Sequence, residues 1–223
     1  MDIEIIRLEQ PAVQEDALFR ILKMDPEDEA FSEDIRAMFR HAASMAVPKA
    51  VYTLSPVTEK GDGFVTAGGV RIESALVRKN LDQADRIAPF AATCGVELEE
   101  WSRAYDDPLE AYWADGIKML YLGLARQAVT AEIRSRFFPV GDMSCMTPGS
   151  LPAWPLPAQR TLFTLLHSGA SQIGISLTES FLMQPSKSVS GFYFSARHHY
   201  ENCTYCPMPH CPGRSAPYRG KTE

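Results

Sequence analysis

From Leu109 to Arg136 the chain runs without a proline and spaces its apolar residues at helical intervals. Ile117, Leu120, Leu124, Ala128 and Ile133 mark a stripe to be buried, and Gly116 and Gly123 allow close packing along it. A long helix is predicted there, and "YDDPLE" at 105–110 supplies a cap for its start. The next stretch, "FFPVGDMSCMTPGSLPAWPLP" at 137–157, has five prolines and two glycines and is predicted to be irregular. It is nevertheless rich in Phe, Met, Leu and Trp. A loop this long and apolar packs against a body or lines a site.

The rest alternates in type. Residues 12–23 and 28–46 carry helical spacing, and Pro48 ends the second run. "KAVYTL" at 49–54 and "GFVTAGGVRI" at 63–72 read as strands between glycine turns, "SALVRKNL" at 74–81 as a short helix, and "RIAPFAATCG" at 86–95 as a buried strand. "VELEEWSRAY" at 96–105 and "PAQRTLFTLLHS" at 157–168 suit helices, whereas "QIGISLT" and "SVSGFYFSA" suit strands. The expected class is α+β, with a mixed, largely antiparallel twisted sheet and packed helices. Three parts are expected: an N-terminal helical segment over 1–48, an α+β domain over 49–200, and a Cys-rich tail over 201–223 packed on it.

With 223 residues and 45% apolar content, the chain buries a core without staples. A net charge of −6 and the lack of a basic stripe argue against nucleic-acid binding. The acidic start, broken by Pro11, has no signal-peptide pattern, and no stretch is apolar enough for a membrane span. The cytoplasm is the expected compartment, where cysteines serve as thiols or metal ligands rather than disulfides. Nucleotide-binding and hydrolase signatures are absent.

The segment "LTESFLMQPSKSVSGFYFS" at 177–195 resembles the reactivation (activation) domain of cobalamin-dependent methionine synthase. Its order of parts is that of the family: Leu-Thr-Glu-Ser, an apolar pair with Met, Pro, Ser-Val-Ser-Gly, and an aromatic strand. "TPGSLPAWPLPAQRTLFTLL" upstream resembles the family's Pro-Gly loop and following helix, and "APFAATCGVELEEW" is a weaker match; together they cover roughly residues 50–200. The resemblance implies S-adenosylmethionine as ligand and docking on a cobalamin-carrying methyltransferase protein. The role implied is reductive remethylation of an oxidised cobalamin, with electrons from a flavodoxin or ferredoxin type donor. No cobalamin-binding or folate-binding segment fits within these residues, so a stand-alone module acting on a separate corrinoid protein is expected.

A methyl sulfonium ligand with an amino-acid tail calls for backbone polar groups, a carboxylate and an aromatic wall. The candidates are Pro148, Gly149 and Ser150 in the loop, Glu179, Ser188 and Ser190 beside the last strand, and Tyr193 and Tyr200 for the adenine. Glycine at 149 serves a plain turn equally well, and Glu179 also suits a solvated strand end. Two positions depart from the family's pattern: Cys145 stands where family members carry Arg, and Ser150 where they carry Tyr.

The tail "NCTYCPMPHCPGR" spaces its thiols as Cys203-x2-Cys206-x4-Cys211. Three thiolates this close suit zinc or an iron–sulfur cluster, and Cys145 is the expected fourth ligand, with His198 and His210 as competitors. Zinc is the structural reading; the reductive role implied by the resemblance favours the cluster; free thiols are the third option. Cys94, in an apolar strand, is expected to be a buried small hydrophobe. Three functions follow: a reactivation module, a metal-bearing electron-transfer protein, or an interaction module that caps a corrinoid protein without chemistry of its own.

Overall fold

A computed structural model describes residues 2–28, 30–196, 199–211 and 214–220. In chain order the elements are β1 (Glu4–Arg7), α1 (Glu15–Leu22), α2 (Ser32–Met45), β2 (Lys49–Tyr52), β3 (Ser55–Lys60), β4 (Phe64–Ala67), β5 (Val70–Glu73) and α3 (Ala75–Asn80). They continue with β6 (Arg86–Thr93), α4 (Val96–Ser102), α5 (Pro108–Phe137), β7 (Asp142–Met146), α6 (Gln159–Leu165), α7 (Gly169–Gln172), β8 (Ser176–Leu177), β9 (Met183–Gln184) and β10 (Ser188–Ala196). Single 3-10 turns lie at Leu156–Ala158 and Asn202–Thr204.

The fold is α+β, and all the ladders between these strands are antiparallel. β6 is the spine. One edge is shared in succession by β2, pairing Lys49 with Thr93, and β3, pairing Ser55 with Ile87. β10 takes the other edge, pairing Ser188 with Thr93, and β7 then pairs with the end of β10, Phe192 opposite Met146. β6 is buried from Ile87 to Thr93 because helices cover both faces of the sheet. On one face Ala88, Phe90 and Ala92 meet Ala125, Val129 and Ile133 of α5. On the other, Ile87 and Phe192 pack with Trp154 and Leu162, and Ala91 packs with Leu166 and Ile173. Each large apolar side chain fully buried in this way contributes about 1.5–3 kcal/mol.

The α5 helix starts as the sequence demands. Asp107 caps it by accepting from the amides of Leu109 (2.8 Å) and Glu110 (3.2 Å), and Pro108 occupies the first turn, where its missing N–H costs nothing. The buried stripe is rotated from the expected one. Trp113, Ile117, Tyr121, Ala125, Val129 and Ile133 point inward at a strict spacing of four, and Leu124 and Ala128 are half-buried. Small residues on β2 and β6 let the helix approach through Ala125. Gly116 does serve close packing, since a Cβ there would run into Leu22, but Gly123 faces open space.

Three other expectations are corrected. The first 48 residues are not only helical: β1 pairs along β2, and α1 and α2 share one apolar cluster with α4 and α5. The 137–157 stretch is not wholly irregular, because Pro139 and Pro148 bracket a proline-free run that forms β7. "QIGISLT" is mostly not a strand: α7 ends at Gln172, Gly174 turns the chain at φ 80°, and only Ser176–Leu177 pair.

Candidate functional site

A cavity of about 830 Å³ opens where α5, β7, β10 and the C-terminal tail meet. Its helical wall is Gly123, Arg126, Gln127, Thr130 and Arg134. These positions fall on one face of α5, beside the buried stripe. Met143, Cys145 and Thr147 point in from alternate positions of β7 and its extension, as do Val189 and Tyr193 from β10. Gly191, between those two, must be glycine: a Cβ there would collide with the Met146 carbonyl and press on Phe90.

Tyr193 is held firmly. Its ring stacks on Phe90, with centroids 4.8 Å apart, and its hydroxyl lies 2.6 Å from Thr130 Oγ1. Thr130 spends its own proton on the Arg126 carbonyl at 2.6 Å, so Tyr193 is the donor. Burial pushes the Tyr193 hydroxyl up to about 12, helped by the neighbouring Cys145, so the phenol stays protonated. Burial also pushes the Cys145 thiol up to about 12 against the pull of Arg126, the cation that stands beside it.

The tail closes the cavity by folding back along β7. The Tyr200 amide donates to Ser144 Oγ (2.8 Å), Glu201 bridges Cys145, and the Asn202 amide group donates to the Thr147 carbonyl (2.5 Å) and Ser150 Oγ (2.7 Å). Beyond this point the tail lacks apolar material for a core of its own. Arg214 takes that place: its guanidinium donates to the carbonyls of Cys203 (2.8 Å), Cys206 (2.7 Å), Met208 (2.5 Å) and Ala216 (2.9 Å). The Arg219 amide closes the loop on the Thr204 carbonyl at 2.8 Å.

Three buried polar atoms on this cavity have no partner among the described residues: Tyr200 Oη, Asn202 Oδ1 and Arg214 Nε. Such atoms cost about 1–3 kcal/mol each unless something meets them, so they point to a polar ligand or to water. Among the described residues no carboxylate pairs with Arg126 or Arg134, which leaves two cations on the helical wall. Glu201 is the carboxylate on the opposite side, and Ser215 donates to it.

Of the ligand contacts expected from sequence, Ser150, Tyr193 and Tyr200 line the cavity. Pro148 and Gly149 belong to the loop beside it; Gly149 has φ 96°, and its amide donates to the Trp154 carbonyl at 2.9 Å, the geometry of a turn. Glu179 is exposed in the turn between β8 and β9. Ser188 and Ser190 share a strand face, but it is the other face: Ser188 Oγ donates to the Pro185 carbonyl, and Ser190 Oγ to Gln159 of α6 (both 2.7 Å). Arg126, Thr130, Arg134, Asn202 and Arg214 were not anticipated. The three on α5 were readable as a polar helical stripe once the apolar stripe is phased correctly.

Cys145, Cys203, Cys206 and Cys211 all line the same cavity. They do not converge: among the described residues no three His, Cys, Asp or Glu side chains are grouped to hold a metal ion. The thiols are free, and neither zinc nor an iron–sulfur cluster finds a ligand set in this arrangement. His210 joins no such group, and His198 lies outside the described residues. Cys94 is fully buried in the apolar cluster of α2 and α5, and burial pushes its thiol up to about 12.

Comparison with known proteins matches this geometry to a fold. The crystal structure of the MetH reactivation domain bound to AdoHcy is similar with a TM-score of 0.60 at 19% sequence identity, over 90% of this chain and 81% of that one. This chain has the fold of a methionine synthase reactivation domain. Residues 148–205 match the family of the activation domain of vitamin B12 dependent methionine synthase. That segment carries the reactivation-domain loop, β10 and the first part of the tail, hence Ser150, Tyr193, Tyr200, Asn202 and Cys203 of the cavity wall. Cys206, Cys211 and Arg214 follow it. No curated protein matches the sequence significantly. No helix among the described residues is long and apolar enough to cross a membrane.

Proposed function

We propose that this protein binds S-adenosylmethionine in the cavity and supports the reductive remethylation of a cobalamin-carrying methyltransferase protein. The observation that carries the reading is the set of unpartnered atoms of Tyr200, Asn202 and Arg214 around one aromatic-walled cavity, partly within the segment that matches the activation-domain family. A cavity of about 830 Å³ lies in the range that encloses a nucleoside-sized ligand. When bound, S-adenosylmethionine supplies a methyl group on a sulfonium centre.

The cavity residues have distinct tasks in this reading. Arg126 and Arg134 face the ligand carboxylate and take over the charge that Cys145 does not provide. The polar atoms of Tyr200 and Asn202 meet the adenosine, and Glu201 balances the positive sulfur and ammonium. Ser150 and Thr147, tied together through Asn202, keep the loop closed over it. The cobalt and its electron donor, of flavodoxin or ferredoxin type, belong to partner proteins.

Calorimetric titration with S-adenosylmethionine and with S-adenosylhomocysteine tests the reading. Binding of either, weakened about 10- to 100-fold by Arg126→Ala as expected for one lost charge-assisted hydrogen bond, supports it. Absence of heat together with absence of a thermal shift for both compounds refutes it.

A further inference from the structure

We propose that Cys203 and Cys206 form a redox-active dithiol at the cavity, which reduces the disulfides of small thiols. The proposal does not depend on what else the cavity binds. Four of the five cysteines line this one cavity, yet they are not arranged as a metal site, so their concentration there needs another reason.

The backbone pairs two of them. Asn202–Thr204 is a 3-10 turn, and the amides of Tyr205 and Cys206 both donate to the Asn202 carbonyl at 3.0 Å. The second of these bonds carries the coil past the turn to Cys206, so residues 203 and 206 lie about one helical turn apart, roughly 5–6 Å, within the Cα separation that a disulfide accepts. One guanidinium fixes the pair, since Arg214 holds the carbonyls of Cys203 and Cys206 at 2.8 and 2.7 Å. No other two cysteines share such a tie among the described residues.

The two thiols differ in environment. Cys203 lies on the cavity beside Ser215; burial and the Glu201 carboxylate work to raise its thiol, but the Ser215 side chain and the amides of Ser215 and Ala216 beside it outweigh them and hold it below the ordinary value. Cys206 packs on the apolar cluster that includes Trp154 and Tyr200. Cys203 is therefore the attacking thiolate and Cys206 the resolving thiol. Cys203 Sγ attacks one sulfur of the incoming disulfide, the S–S bond breaks, and the first small thiolate leaves and takes a proton. Cys206, giving up its proton, then attacks Cys203 Sγ, forms the Cys203–Cys206 bond and expels the second small thiol. One disulfide is reduced to two thiols, and the protein dithiol is oxidised to one disulfide.

The test treats reduced full-length protein with glutathione disulfide under anaerobic conditions, followed by alkylation and mass mapping. A single disulfide between Cys203 and Cys206, reversed by dithiothreitol, is expected. Cys206→Ser should trap one glutathione on Cys203, and Cys203→Ser should slow the consumption of glutathione disulfide at least about tenfold. A disulfide joining Cys203 to Cys211 or Cys145, a failure to form any intramolecular disulfide, or thiols shielded by a chelatable metal ion would each overturn the proposal. The mapping on unmodified protein decides the matter even where a variant folds poorly.

Discussion

Replacing Arg214 by Ala should free the tail while leaving the body of the protein folded. Its guanidinium makes four hydrogen bonds to carbonyls, joining residues 203, 206, 208 and 216. A bond from a charged donor contributes about 1.5–3 kcal/mol, and the partial exposure of this group argues for the lower end, so the four together are worth about 6 kcal/mol. Few apolar side chains beyond Cys206 oppose that loss, whereas β6 and β10 are also held by the cluster with α5, which no described tail residue joins. Opening should therefore be local. Hydrogen exchange separates the two outcomes. The amides of Cys206 and Arg219, bonded to Asn202 and Thr204, should lose their protection, and those of Ala91 and Phe192 should keep theirs. Arg214→Lys should behave nearly like Ala, because a single ammonium lacks the planar fork that reaches four acceptors. The account of a guanidinium in the role of a core is wrong if Arg219 stays protected in the Ala variant, or if exchange in β6 rises in parallel with the tail.

Two further outcomes follow from side chains outside the cavity. Ser190→Ala strands Gln159 Oε1 in a buried position and should cost about 1–3 kcal/mol in urea unfolding, with no change in titrations of S-adenosylmethionine, because this serine faces α6; altered ligand binding would contradict the placement. The Glu99 carboxyl is raised by burial but lowered more by its hydrogen bond from Ser186 and by Lys118, so its net value lies below the usual 4.5. A depressed folded value means stability that is full above the ordinary glutamate value and is lost as pH falls through the folded one. Glu99→Gln should accordingly lower stability at neutral pH and flatten its decline below about pH 4.5 in denaturation series; an unchanged acid limb would exclude this group.

Local chemistry made the elements legible. Asp107 with Pro108 announces α5, and the β-branched and aromatic run 188–196 announces β10. What was not legible depends on partners distant in sequence. Leu124 and Ala128 fit a helical period as well as Ala125 and Val129 do; only the alanines on β2 and β6 decide which pair goes inward. The face of Ser190 is set by Gln159, 31 residues away, and a period of two cannot say which face meets the cavity. Tail and loop stand out in the sequence because both are too apolar or too thiol-rich to be linkers. That the described residues hold no metal-binding group was not legible, since spacing alone does not show whether thiols converge on one point or line a wall.

The position of the cavity follows from how the sheet ends. β6 is covered on both faces and offers no opening, so a ligand can reach the sheet only where one cover is missing. On the same turns of α5 that send Ala125, Val129 and Ile133 onto the sheet, the adjoining face carries Arg126, Gln127, Thr130 and Arg134, and that face looks onto β10 and β7. Those polar residues cannot close on the sheet without burying charge, so a gap is left between helix and strands. The tail fills its rim with hydrogen bonds instead of apolar contacts, and this is why Asn202 and Arg214 both retain unpaired atoms there. Filling the gap with apolar side chains, for example Arg126→Leu with Arg134→Leu, should stabilise the fold and abolish binding together, the trade expected where a site is kept open at the expense of packing.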